Sequence, residues 1–422
     1  MTYLNSRICA DKRLLVLGGL RYQIPVIKKA KELGCYVISA DIYPDNIAHK
    51  YSDEYCRLNI VNKDEVCDAA KALQVDGIMS FAVDPGVVSA AYACEKLRLP
   101  NVGPYESVRI LQNKDLFRNF LTDNGFNSPK HGSYDTYCDL AEELHLFSFP
   151  LFVKPVDSAG SKGVTKVDET EDLEDAFDSA HAMSICGRVI VEEVIDFQEQ
   201  PSDSDCFSIN GDLVFFSMSN QYYDSEAANP YTPAAYIWPS SVPSQHQARI
   251  REDVQRLVTL LKMDTSVYNI ETRLGKDDKV YIMECSPRGG GNRISEILSL
   301  QYGIDLLGNS VLGALGMHHL IYFTRHPSSH SYWGELVLHS NSNGIYTDIC
   351  LDESIRKSMH ELDLWVSHGD RVEGFSGANA AIGTIVLKSH SFLEMAEIIE
   401  RRNSLVNLQV IGEEDSGFQD YR

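Results

Sequence analysis

Residues 284 to 293 read ECSPRGGGNR, which sets an acid, a hydroxyl, an arginine and three consecutive glycines at the end of a strand-like run, KVYIMECSP. An unpaired charge buried in a core costs roughly several kcal/mol. Glu284 and Arg288 are therefore expected to be balanced by charge from outside the polypeptide. A second acid, Glu271, lies on the preceding run SVYNIETRL, and the polar turn GKDDK joins the two runs into a β-hairpin. Counting outward from the turn places Glu271 and Glu284 at or near opposing cross-strand positions, where like charges repel. Two such carboxylates share a proton or share a cation. Hard Mg²⁺, which takes carboxylate oxygens together with nucleotide phosphates, is the reading adopted. Two solvated glutamates on an exposed face are the plainer alternative, weakened by the apolar flanks of both.

A second constellation lies upstream, in FPLFVKPVDSAGSKGVTKV. Its alternation predicts a strand with Phe152 and Lys154 on one face and Pro155 ending the regular pairing. Ser158, Gly160, Ser161, Lys162 and Gly163 then form a loop. A Gly/Ser loop after an inward lysine can wrap a phosphate with backbone N–H groups, although a mere hairpin is the bland reading. Lys114 opens the helix NKDLFRNFLTDNG, with Leu116, Phe117, Phe120 and Leu121 on one face and Gly125 as its stop. A cation there opposes the helix dipole, so taken alone Lys114 is a surface lysine.

The elements that carry these residues follow a recognisable order. RLLVLGGL, IPVIKKAKELG, CYVISA and GIMSF alternate strand and helix and predict a small parallel sheet through about residue 110. Gly18, Gly19 and Asp41 suggest a dinucleotide site, but GxGxxG is absent and tight turns with a strand-end acid are the simpler reading. A polar helix near 170–182 precedes the strand RVIVEEVI, and Asn210-Gly211 marks a hairpin between SDCFSI and DLVFFSMSNQYY. NPYTPAAYIWPSSVP, with four prolines, reads as a long loop that either orders over a substrate pocket or makes a surface excursion. Beyond 325 a loop, strand and helix predict a small α/β appendage, and the tail GEEDSGFQDYR is expected to fray. His318, His319, His326 and His330 lack a metal-ligand motif, so no zinc site is expected.

Composition narrows the class. Apolar residues make up 44% and charged residues 23%, ordinary for a globular protein, while a net charge of -22 repels phosphate backbones and anionic membranes. Neither nucleic acid nor membrane is an expected partner. Ten cysteines without a CxxC pair read as reduced packing residues, the first residues are too polar for a signal peptide, and a cytoplasmic location is expected.

The order of these motifs resembles the ATP-grasp superfamily, of the carboxylate–amine ligase type. It is similar to L-amino acid ligases and, more distantly, to biotin carboxylase, carbamoyl-phosphate synthase and D-alanine ligase. The resemblance runs from VLGG to about residue 315. It implies an α/β chain with three parts: a Rossmann-like preATP-grasp domain at 1–112, an ATP-grasp domain at 113–325 (lid about 113–195, catalytic base about 196–325) and a C-terminal subdomain at 326–422. The cofactors implied are ATP and Mg²⁺, with Mn²⁺ as a substitute, and the partners are a small carboxylate and an amine; related enzymes are often dimers.

Carried onto this sequence, the family pattern gives Lys114 and Lys154 to the nucleotide and the loop from Ser158 to Gly163 to its β and γ phosphates. Backbone at Glu192, Glu193 and Ile195 would read the adenine edge, and Asp203 or Asp205 would hold the ribose. Glu271 and Glu284 match the metal-bridging glutamates. Ser286 stands where the family often has Asn, and its hydroxyl would ligate metal on a shorter arm. Arg288 matches the arginine facing the transferred phosphoryl group, and Gly289, Gly290, Gly291 and Asn292 would receive an anionic substrate. The implied chemistry is phosphorylation of a carboxylate, that of an amino acid in the favoured reading, to an acylphosphate that an amine then attacks. Bicarbonate activation and a nucleotide-binding regulator without turnover are the rival classes.

Overall fold

The computed structural model describes residues 7–158, 160–323 and 331–412. His326, His330 and nearly all of the tail from Gly412 lie outside the described residues. The chain divides into two compact units that interleave along the sequence: residues 1–128, 203–218 and 243–327 form one, and 129–202, 219–242 and 328–422 the other.

The first unit opens with a four-stranded parallel sheet in the order Glu54–Arg57, Tyr36–Asp41, Arg13–Leu17, Gly77–Ser80. Leu14 to Leu17 are wholly buried, as expected where helices cover both faces of a parallel strand. The helices of this βαβ run are Ile24–Glu32, Lys63–Ala72 and Val87–Leu97. The α/β expectation holds here. A second, antiparallel sheet has the order Asp212–Phe216, Ser202–Ile209, Ser266–Leu274, Val280–Ser286. In its outer hairpin Asn269 pairs with Ser286 and Glu271 with Glu284, and a bulge follows directly after Glu271. Counting from the turn alone sets Glu271 opposite Met283, one residue away, and the bulge brings Glu284 into register with it.

The helix Lys114–Asp123 starts at Asn113, whose side chain accepts from the Leu116 N–H. Its buried face differs from the expected one. Phe117 and Leu121 are buried, but so are Asp115 and Arg118, while Leu116 and Phe120 are only half covered. Apolar spacing finds a helix face but cannot see a charge that packs inside.

Among the described residues the second unit holds three sheets. One has the order His131–Tyr134, Val189–Glu193, Leu151–Pro155, Thr165–Val167. The next runs Asn220–Tyr223, Pro233–Trp238, Tyr332–Leu338, Gly383–Ser389, Met359–Leu364, and a three-stranded sheet runs Arg371–Val372, Gly344–Leu351, Val406–Ile411. The proline-rich segment is therefore no loop throughout: Ala234 to Trp238 form a buried strand inside a sheet. Pro233 starts that strand and Pro239 follows its end, positions where a missing N–H costs no ladder bond. Burial on both faces removes the alternation by which a strand is recognised. The region beyond 325 is correspondingly richer in strands than a small appendage.

All ten cysteines are free thiols, but Cys138, Cys186 and Cys350 are exposed, so packing accounts for only part of the set.

Candidate active site

The hairpin sets Asn269, Glu271, Glu284 and Ser286 on one face of the antiparallel sheet. Each glutamate has a cation beside it: Arg273 Nη2 lies 2.8 Å from Glu271 and Lys114 Nζ lies 3.6 Å from Glu284. Arg288 is nearly buried and closes a bidentate pair with Asp84, Nε to Oδ1 at 2.8 Å and Nη2 to Oδ2 at 2.7 Å. The expectation that Glu284 and Arg288 are balanced from outside the polypeptide is thus corrected, because Lys114 and Asp84 balance them from within. Asp84 escaped the sequence reading although only Ala82 and Val83 separate it from the run GIMSF, and an acid past a strand end in an α/β sheet commonly faces a site.

Around this pair runs a connected polar network. Ser286 Oγ donates to Asp84 Oδ1 at 2.8 Å and accepts from Gln112 Nε2 at 2.8 Å. Arg288 Nη1 donates to Asn269 Oδ1 at 3.0 Å and to the Gly289 carbonyl at 3.1 Å. Asn269 Nδ2 donates to Asp203 Oδ1 at 2.6 Å and to Asp205 Oδ1 at 3.3 Å. Asp205 also accepts from the Gly290 N–H at 2.9 Å and Ser295 Oγ at 2.8 Å.

The glycines have their own reasons. A Cβ on Gly289 would enter the Phe81 ring, and one on Gly290 would lie 2.8 Å from Asn269 Nδ2 and 3.0 Å from Asp205 Oδ1. Gly289 and Gly290 thus serve close packing within the chain, and the Gly290 N–H is spent on Asp205. Gly291 has ordinary room, and Asn292 and Arg293 after it both adopt positive φ, 50° and 58°, a costly backbone for non-glycine residues.

The charges shift accordingly. Burial alone would raise the Asp84 carboxyl; the Arg288 guanidinium and the Ser286 hydroxyl outweigh it and hold the group below the usual carboxylate range. Burial, reinforced by the Glu271 and Asp205 charges, pushes Asp203 up to about 7. Burial raises Asp205 to about 6 against the hydrogen bonds of Ser295 and Gly290.

A carboxyl raised in the folded state stabilises the fold when protonated, a contribution complete below about pH 4 and lost as the pH rises through about 7. The nucleotide-free protein should therefore lose several degrees of Tm between about pH 5 and about pH 8, and Asp203→Asn should flatten that slope. Thermal melts of both proteins across the interval check this; an unchanged slope in the variant contradicts it.

In the second unit Lys154 Nζ lies 2.5 Å from Glu192, whose side chain is 1% exposed. Phe152 and Lys154 do share a face, opposite buried Leu151 and Val153. The Glu193 N–H donates to the Lys130 carbonyl and the Val194 N–H to the Pro150 carbonyl; Ile195 follows the strand end. In the loop, Ser161 Oγ donates to the Tyr231 carbonyl at 3.0 Å, and Asn229 Nδ2 donates to the Ser161 carbonyl at 2.8 Å. Gly160, Ser161 and Gly163 have positive φ, Lys162 is exposed, and Ser158 precedes Ala159, which is not described.

Among the described residues no three His, Cys, Asp or Glu side chains form a cluster that would hold a metal by themselves. Mg²⁺ does not need one, since it usually keeps several waters and binds one or two carboxylates plus substrate phosphates. Glu271 facing Glu284 fits that donor set; Ser286, 3% exposed and held by Asp84 and Gln112, is already engaged within the protein.

A family model described as the ATP-grasp domain matches residues 147–296. The chain carries an ATP-grasp domain. Its sequence is 28% identical over 189 residues to the formate-dependent phosphoribosylglycinamide formyltransferase of Prochlorococcus marinus, which is 44% of this chain and 48% of that protein. The matched stretch spans about half the length of that relative. An L-amino acid ligase from Bacillus licheniformis has the same fold, with a TM-score of 0.79, 21% identity and coverage of 96% of this chain and 100% of that one. A phosphoribosylglycinamide synthetase from Anaerococcus prevotii gives a TM-score of 0.72 at 23% identity, covering 95% and 100%. Glu192, Asp203, Asp205, Glu271, Glu284 and Arg288 all fall inside the matched ATP-grasp domain, whereas Asp84, Gln112 and Lys114 precede it. No described helix is long and apolar enough to cross a membrane.

Proposed function

We propose that the protein is an ADP-forming, ATP-dependent ligase that joins a small carboxylic acid, an amino acid in the favoured reading, to an amine. The observation that carries the reading is Glu271 set against Glu284 in register, with Arg288 buried on the same strand's extension, inside an ATP-grasp domain. A protein that only stored a nucleotide would have no need of two opposed carboxylates beside a phosphate.

In this reading Lys114, Lys154 and the 158–163 loop serve the nucleotide phosphates, and backbone at Glu192, Glu193 and Ile195 serves the adenine. Asp203 takes the ribose, whereas Asp205, spent on Asn269, Gly290 and Ser295, supports the turn that follows Arg288. Glu271 and Glu284 would hold Mg²⁺, which when bound offsets phosphate charge. Ser286 acts through Asp84 to hold Arg288 in place. A carboxylate oxygen of the acid attacks the γ-phosphorus and ADP leaves. The amine nitrogen then attacks the acyl carbon and loses a proton, and phosphate departs with the oxygen that came from the acid. Four of the five Arg288 N–H donors are engaged by Asp84, Asn269 and the Gly289 carbonyl, which leaves one Nη2 hydrogen for the developing oxyanion. Gly291 and Asn292 lie next along the chain for the substrate's anionic end.

A second reading is favoured by the relative from Prochlorococcus marinus, whose name specifies formate: the acid activated is formate and the amine is a glycinamide. Phosphate release with ATP and Mg²⁺ separates the two when amino acids are supplied singly and in pairs, and formate is supplied with glycinamide-type amines. Release that depends on an amino acid supports the first reading, release that depends on formate supports the second, and no release with any acid removes both.

A further inference from the structure

Arg273 has no task in the mechanism above, yet it stands on the face that carries it. Along the strand Ser266–Leu274 the side chains of Asn269, Glu271 and Arg273 are the half-covered ones, with Ile270, Thr272 and Leu274 buried between and beyond them. Every second residue of a strand shares a face, so the three form a row at steps of about 6.7 Å. The Arg288 guanidinium meets that row at Asn269, where Nη1 lies 3.0 Å from Oδ1. Glu271 holds the middle, opposite Glu284, and Arg273 the far end, opposite Tyr281.

Arg273 turns back along the row, and its Nη2 donates to Glu271 Oε1 at 2.8 Å. The two side chains are 17% and 25% exposed, so water and salt screen this pair less than one on an open surface. The neighbouring acids are matched by cations as well. Lys114 stands beside Glu284, and Asp203, raised by burial and by the Glu271 and Asp205 charges, is eased by the Arg288 charge. A divalent cation arriving alone would thus meet Glu271 and Glu284 with a guanidinium and an ammonium already beside them. Like charges a few ångströms apart repel strongly where water is partly excluded.

Nucleotide phosphates lift that conflict, because they offer the released cations new partners. With the transferred phosphoryl group toward Arg288, the α and β phosphates fall toward the Arg273 end of the row. We infer that Arg273 guards the metal site: it holds Glu271 until a nucleotide arrives, then yields that carboxylate to Mg²⁺ and turns its guanidinium to the α and β phosphates. A planar fork suits the exchange, since it bonds carboxylate and phosphate alike and stays charged throughout. Metal binding is thereby made conditional on nucleotide binding. The inference rests on the nucleotide site of the proposed function and not on which acid is activated.

Calorimetry on the whole chain tests it with two probes kept apart, Mn²⁺ without nucleotide and ADP without divalent metal. Arg273→Met should bind Mn²⁺ at least about tenfold more tightly than wild type, because the competing charge beside Glu271 is gone. The same variant should bind ADP at least about tenfold more weakly, because a fork on its phosphates is gone. Arg273→Gln can still donate to Glu271 but carries no charge, and it decides the matter with the same two shifts if the methionine variant does not fold. A residue that only props the hairpin would move neither affinity, or would weaken both. The proposal is overturned if Mn²⁺ affinity does not rise, if ADP affinity does not fall, or if the wild type binds no ADP. A protein that shows both shifts and activates no acid loses the ligase reading and keeps Arg273 in this role.

Discussion

Glu284→Gln is expected to abolish ADP formation while the metal-free protein melts within a degree or two of wild type. The Glu284 side chain is 52% exposed and Lys114 Nζ is 3.6 Å away. An exposed pair of that kind is worth about 0–1 kcal/mol, so its loss barely moves the fold. The amide keeps the shape but donates no charge to Mg²⁺, and a loss of at least about a thousandfold in turnover follows if metal and phosphates meet there. Melts without metal, set beside activity per folded molecule, check both halves. A destabilised variant with full specific activity would make the hairpin face architectural.

Arg288→Lys is the second large effect, and it should touch both stability and rate. Lysine keeps a charge near Asp84 but cannot make the two parallel bonds, and it abandons Asn269 Oδ1 and the Gly289 carbonyl. Tm should fall by several degrees, since buried acceptors left unpaired cost about 1–3 kcal/mol each. Turnover per folded molecule should fall a further ~10²–10³-fold, the usual loss for one donor aimed at developing charge. Asp84→Asn is the companion: it retains Arg288 but removes the charge that orients it, and should reduce kcat more than it raises KM. A variant pair that melts early yet turns over normally would assign Arg288 and Asp84 to the scaffold alone.

Local periodicity made the hairpin legible. The two apolar runs with a five-residue polar turn between them bring Glu271 to within one residue of Glu284 across the strands, and a bulge that no local pattern announces completes the pairing. The parallel sheet was legible for another reason, the alternation of short apolar runs with amphipathic helical stretches. Asp84 and Arg288 were not recognisable as partners, because 204 residues separate them and nothing local to either specifies the other. The strand Pro233–Trp238 was hidden by prolines at its ends and by burial on both sides. Asp115 and Arg118 show the same limit from another direction, since apolar patterning assigns charged residues to solvent and these two are inside. The glycines of GGGNR were legible as a special backbone, but the cause at Gly289 and Gly290, the Phe81 ring and the Asp205 carboxylate, comes from distant chain. The interleaving of the two units depends on non-local contacts throughout and has no local signature.

The central claim, activation of an acid through an acylphosphate, is tested most directly by oxygen tracing. The acid that supports turnover is prepared with both carboxylate oxygens as ¹⁸O, and the phosphate released with ATP, Mg²⁺ and the amine is analysed by mass. The mechanism predicts ADP and one ¹⁸O in each phosphate formed. AMP with pyrophosphate, or phosphate that carries no label, would contradict it.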